Sequence, residues 1–281
     1  MEPKVVIATT MLYKDATEVR LGLALETLYN LTECNRYGVV VYDGSPPSVR
    51  EPLKRLGQRR QSIMVFDEPE GNTMGQTRRL AIAKAAEIAG SDGSDGIVGW
   101  IEPEKNLAKF IRACVAPILR ARLGLPDAYH IVIPSRTDNL ASYQKFQQHA
   151  ELFGNDMFRY ILGIPIDAWF GPRFFGVEDA HWFTDYKGEY GDRWDSIFIP
   201  LLRAHAAGRV LGNVEINFTH PVAQAANEDS LNFYLKRLEQ LSLVPILMQE
   251  ALRLGIVEER FFGANLKALA RTWRQALANI T

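Results

Sequence analysis

Between residues 4 and 134 short apolar runs take turns with segments of helical periodicity, and few architectures accept that order. The run Lys4–Thr10 is followed by a polar loop and then by Glu18–Leu31, where Leu21, Leu25 and Leu28 recur at helical spacing. Tyr37–Tyr42 is Val-rich without internal alternation, as a strand buried on both faces should be, and it stops at Asp43-Gly44-Ser45-Pro46-Pro47. A helix at Val49–Leu56, a strand at Ser62–Phe66 and a helix at Gln76–Ile88 continue the series. Gly93 and Gly96 then mark a turn before a strand at Gly96–Ile101, which ends in Glu102-Pro103-Glu104-Lys105. Leu107–Arg122 reads as helix and Tyr129–Pro134 as strand. The exchange predicts an α/β fold: an open, mostly parallel sheet flanked by helices, with ligands bound outside the carboxyl ends of the strands.

Beyond that point the pattern changes. A helix with aromatic content is expected over Asn139–Ile161, then a turn-rich stretch through Gly188, a helix over Asp195–Ala207 and a strand-like Arg209–Thr219. The tail reads as two amphipathic helices, Ser230–Leu254 and Val257–Ala278, broken near Gly255; their apolar stripes are expected to serve as core or as a homodimer surface. A chain of 281 residues with 47% hydrophobic and 23% charged residues can bury a sizeable core, and a net charge of -1 disfavours nucleic acid as a partner. Cys34 and Cys114 fit neither a disulfide framework nor a paired metal motif and read as buried thiols. No stretch approaches the roughly 20 apolar residues of a transmembrane segment and no signal peptide is recognisable, so a cytoplasmic location is expected.

Three strand or helix boundaries carry candidate chemistry. Asp43 in Asp43-Gly44-Ser45 can accept hydrogen bonds from a base or ribose, although Asp-Gly is also a common turn. Gly75-Gln76-Thr77-Arg78-Arg79 opens a helix, where free N–H groups and a guanidinium suit a diphosphate, or where a capped helix simply exposes its arginines. Glu102-Pro103-Glu104 puts carboxylates at i and i+2, on one side of an extended chain, where they can approach a divalent cation or a ribose hydroxyl; a solvated acidic loop is the alternative.

Taken in order, these segments over residues 4–220 resemble GT-A glycosyltransferases, particularly the broad glycosyltransferase family 2. Val41-Tyr42-Asp43-Gly44-Ser45 resembles the family's Asp-Gly-Ser strand end, and Gly75 through Ala85 its Gly-x-x-Arg helix. Glu102-Pro103-Glu104 stands where the Asp-x-Asp belongs, a departure in which Lys105 could replace an ion. Asp167-Ala168-Trp169-Phe170-Gly171-Pro172-Arg173 is similar to an Asp-x-x-x-Gly-x-Arg segment that lies over sugar and acceptor, or else is core. Asp195 stands where inverting members carry a base and retaining members such as mannosylglycerate synthase carry an acceptor-binding acid; a helix N-cap explains it equally well. His220 resembles a late histidine that completes some metal shells, against the structural role usual for a lone histidine.

The resemblance implies a GT-A domain at residues 1–225, divided into a nucleotide-binding half (1–136) and an acceptor half (137–225), with a C-terminal helical extension at 226–281. It implies transfer of a sugar from a nucleotide-diphosphate sugar donor to an acceptor hydroxyl not specified by the sequence. The base would lie near Thr9 and Asp43, and the diphosphate near Gly75, Arg78, Glu102 and Gly171. Mn²⁺ or Mg²⁺ would sit on Glu102, Glu104 and His220, and Asp195 would be the base of an inverting reaction. Two other readings share the sheet. A sugar-nucleotide-forming nucleotidyltransferase usually has a glycine-rich loop after the first strand, which Thr9-Thr10-Met11-Leu12-Tyr13-Lys14 lacks; a non-catalytic binding module would keep the pocket alone.

Overall fold

The computed structural model describes residues 4–33, 37–91, 93, 95–138 and 140–258. In chain order these form β1 (Val5–Met11), α1 (Val19–Thr32), β2 (Gly38–Asp43), α2 (Pro47–Arg59), β3 (Ile63–Asp67), α3 (Met74–Ala89), β4 (Ile97–Trp100), α4 (Ile111–Arg122) and β5 (Ile131–Arg136). There follow α5 (Lys145–Leu162), β6 (Arg173–Gly176), α6 (Ala180–Thr184), α7 (Asp195–Ala206), β7 (Leu211–Ile216), α8 (Val222–Asn227), α9 (Leu231–Leu241) and α10 (Val244–Arg253). The strands make a seven-stranded sheet in the order β3-β2-β1-β4-β6-β5-β7. Every pairing is parallel except the two made by β6, so the expected open, mostly parallel sheet flanked by helices is what the chain forms.

Alternation along the strands divides the core in two. Val6, Ala8, Val98, Trp100, Ile131 and Phe175 face α3, α5, α7 and α10, whereas Ile7, Val39, Val41, Ile97, Val132 and Phe174 face α1, α2 and α4. Cys114 is buried and free in the second layer, where burial pushes its thiol up to about 12. Cys34 lies outside the described residues.

Strand β6 was hidden in the segment expected to be turns. Four residues are fewer than the five or six of a common strand, and Arg-Phe-Phe-Gly shows no alternation to read. Its reversed direction has a positional consequence: Trp100 pairs with Arg173, so the start of β6 lies at the same sheet edge as the end of β4. Helix α5 begins later than Asn139, because Asp138 accepts from the N–H groups of Leu140 and Ser142 in a local turn and Leu140 adopts φ 62°. The helix expected over Ser230–Leu254 is two helices, since Pro245 has no N–H to continue the ladder from α9. The expected Val257–Ala278 helix lies, past its first two residues, outside the described residues.

The division at residue 226 is not a break in packing. Val244, Leu247, Met248 and Ala251 of α10 belong to the same core layer as β1 and β4. Helix α9 is turned the other way: Leu231, Leu235 and Leu238 are exposed, while Gln240 is buried and Lys236 and Arg237 are partly buried. Among the described residues no helix is long and apolar enough to cross a membrane.

Candidate active site

A cleft of about 330 Å³ opens at the carboxyl ends of the strands, beside the point where the sheet order reverses between β1 and β4. Its walls come from separate elements: Thr10–Tyr13 at the end of β1 and just beyond it, Arg78 from α3, Glu102–Lys105 after β4, Gly171 before β6 and His220 after β7. Helix α9 closes it with Lys236, Arg237 and Gln240. Antiparallel β6 is what brings Gly171 there. At φ 102° it takes a conformation suited to glycine, and a Cβ would come within 3.3 Å of Lys105 Nζ and 3.2 Å of Glu102 Cδ.

The two glutamates have opposite surroundings. Burial pushes Glu102 up, but Lys105, in direct contact, and the more distant Lys236 and Arg237 outweigh it and hold the carboxyl at about 2. Glu104 is raised by burial and by the charge of Glu102, although the Tyr13 hydroxyl donates to it at 3.0 Å and Arg20 lies 3.7 Å away. Arg78 is buried over the Trp100 ring, 5.0 Å from its centroid, and donates to the Arg193 carbonyl at 3.0 Å and to the Ser196 hydroxyl. Burial lowers its guanidinium to about 10, with Glu102 and Asp195 opposing the shift.

Other expected residues lie elsewhere. Thr9 is fully buried inside the sheet and donates to the Ile101 carbonyl at 2.9 Å, so the cleft wall is its successors, Thr10–Tyr13. Asp43 is buried and does not line the cleft: its carboxylate accepts from Ser45 N–H at 3.0 Å and stands 3.5 Å from Arg50, in the turn after β2. Gly75 is a packing residue. A Cβ there would meet the Asp192 carboxylate at 2.2 Å, and its N–H donates to the Asp192 carbonyl. Since Thr73 and Gln76 form a capping box and Thr77 N–H returns to the Thr73 carbonyl, these helix-start donors are engaged within the protein.

Asp195 requires the plainest correction. It is fully buried, and its carboxylate accepts from the Tyr186 hydroxyl (2.5 Å) and from the N–H groups of Arg193 (2.6 Å) and Asp192 (3.2 Å). It tightens the turn into α7 and does not line the cleft.

His220 does line the cleft, stacked on Tyr143 at 4.1 Å with Nε2 3.0 Å from Glu228. Glu102, Glu104 and His220 thus share a cavity, but each has a protein partner: Lys105, Tyr13 with Arg20, and Glu228. Among the described residues no group of three or more His, Cys, Asp or Glu is gathered to hold a metal ion. A hard divalent cation asks for several free oxygen ligands, and this donor set does not fit one as it stands.

Lys236 and Arg237 are the site residues that sequence reasoning passed over. Lys-Arg on an amphipathic helix reads as a solvated face; the available signal was the spacing of Phe233, Lys236, Arg237 and Gln240 on one side, opposite the leucines.

No protein-family model and no curated protein matches the chain. Solved structures similar in shape include a Desulfovibrio desulfuricans protein assigned as a nucleotide-diphospho-sugar transferase, at 12% identity over 88% of this chain and 98% of that one, TM-score 0.45. Residues 1–349 of S. aureus TarS match at 11% identity over 94% of this chain and 75% of that one, TM-score 0.46. The TarS fragment in complex with UDP-GlcNAc matches at 13% identity over 86% and 66%, TM-score 0.45. Likeness this distant leaves the assignment to the chemistry of the cleft.

Proposed function

We propose that this chain is a GT-A type glycosyltransferase that takes a sugar from a nucleotide-diphosphate sugar. The observation that carries the reading is the composition of the cleft: Arg78, Lys105, Lys236 and Arg237 converge with Glu102 and Glu104 at the carboxyl ends of β1 and β4. Cations in a partly enclosed space suit a diphosphate, carboxylates suit sugar or ribose hydroxyls, and few other metabolites present both. The nucleotide base then lies along Thr10–Tyr13 rather than against Thr9 and Asp43.

The acceptor's proton goes to a group in the cleft instead of to Asp195. Glu104 is the carboxylate raised toward neutrality, as a general base should be. The likeness to mannosylglycerate synthase, which rested on Asp195, is not carried further. A reading as a non-catalytic binding module is favoured by one fact, the enclosure of Asp195, and the test separates the two.

Wild type and Glu104→Gln are incubated with UDP- and GDP-sugars, and nucleoside diphosphate release is followed together with donor affinity. One donor should be turned over by the wild type, and Glu104→Gln should lower turnover by about 10²-fold or more with donor affinity nearly unchanged. Donor binding without release assigns the binding module. Pyrophosphate release from a nucleoside triphosphate and a sugar phosphate assigns the nucleotidyltransferase.

A further inference from the structure

Five cations surround the cleft, and their partners differ. Arg20 is paired with Glu18 and Glu104, Lys105 with Glu102, and Arg237 donates to Gln240 at 2.8 Å and lies 3.6 Å from Glu151. Arg78 and Lys236 have no carboxylate in ion-pair contact among the described residues. Arg78 contacts a carbonyl and a hydroxyl, and its Nε is buried without a partner. The Nε of Arg237 is also buried and unpartnered. Lys236 Nζ rests over the rings of Trp194 (5.3 Å) and Phe233 (5.5 Å), within electrostatic reach of Glu102, Glu228, Arg237 and Arg20.

Unpaired cations held at low dielectric next to buried donors are costly unless something anionic completes them. Two cations without a carboxylate in ion-pair contact equal in number the charge of a doubly esterified diphosphate, about −2 at neutral pH. Lys105 meanwhile is in direct ion-pair contact with the Glu102 carboxylate. We propose that Lys236 and Arg78 neutralise the donor's diphosphate in place of a divalent metal, so that nucleoside-diphosphate binding here is metal-independent. Helix α9 is then part of the donor site, not an appendage to it. The inference rests on the glycosyltransferase reading and deepens it.

Calorimetric titration of the full chain with UDP, GDP, ADP and CDP, in EDTA and then in Mn²⁺, tests it. The tightest ligand should keep its Kd within about twofold between the two buffers. Lys236→Gln should weaken it by about ten- to a hundredfold in both, the loss of one charge-assisted contact. Lys236→Arg should restore most of the affinity. Lys236 projects from a surface helix, and circular dichroism of both Lys236 variants checks that the fold is kept. Binding that requires Mn²⁺ overturns the inference but leaves the glycosyltransferase reading intact, as does wild-type affinity in Lys236→Gln. Failure of every nucleotide to bind in either buffer overturns both.

Discussion

Asp195 illustrates how one carboxylate can occupy an expected place in the sequence and a different role in space. Removing it leaves the Tyr186 hydroxyl and the N–H groups of Asp192 and Arg193 without their acceptor in a buried turn. Asp195→Ala should therefore cost about 3 kcal/mol of stability, read as a Tm lower by several degrees, with nucleotide affinity unchanged in the folded fraction. An unchanged Tm combined with lost turnover would return Asp195 to catalysis. Glu102 and Glu104 make the complementary point. Residue type and spacing were legible and both side chains reach the cleft, but the sign of each pKa shift was not, because it is set by how burial balances against Lys105 and the α9 cations at Glu102, and by burial together with the Glu102 charge at Glu104.

Between elements, the heaviest electrostatic joint is Arg136 at the end of β5. Its guanidinium pairs with Asp167 through two 2.7 Å contacts and with Glu151 of α5 at 2.7 Å, and it lies 4.4 Å from the Phe170 ring centroid. The joint fixes the segment from Asp167 to Gly171 that carries β6 to the cleft, so part of the segment expected over sugar and acceptor is core, with Trp169 and Gly171 reaching the cavity. Arg136→Ala strands two buried carboxylates and should cost about 3–5 kcal/mol, measurable by denaturant unfolding. Burial alone would raise Asp167, but Arg136 holds it below its ordinary value of 3.8. Its contribution to stability is thus fully present above that value and is lost as pH falls through the lower folded one. A Tm-versus-pH scan should fall on the acid side in the wild type, and a flat acid limb would contradict the assignment. Strand β6 and this joint escaped sequence reading for one reason: short antiparallel pairings and buried ion pairs leave no local period.

At the scale of the whole molecule, helix α10 packs into the same core layer as the sheet. Leu247 and Ala251 are fully buried against the sheet's first layer, with Val244 and Met248 nearly so. At about 1.5–3 kcal/mol for each large apolar side chain, exposing them approaches the whole stability of an ordinary domain, about 5–15 kcal/mol. A chain ending at residue 229 should therefore lack a cooperative thermal transition; a well-folded truncation would restore the boundary at 226. What the sequence by itself determined was the α/β class and the succession of most strands and helices along the chain, because these follow from local periodicity. Only the tertiary structure decided which polar groups face the cleft. Thr9, Asp43, Gly75 and Asp195 are turned into turns and packing contacts, and Lys236 and Arg237 are carried in by a helix more than 130 residues from Glu102 in the chain. Orientation at a site is settled by which hydrogen bonds and charges the packed layers leave unmet, and that balance exists only once distant segments have met.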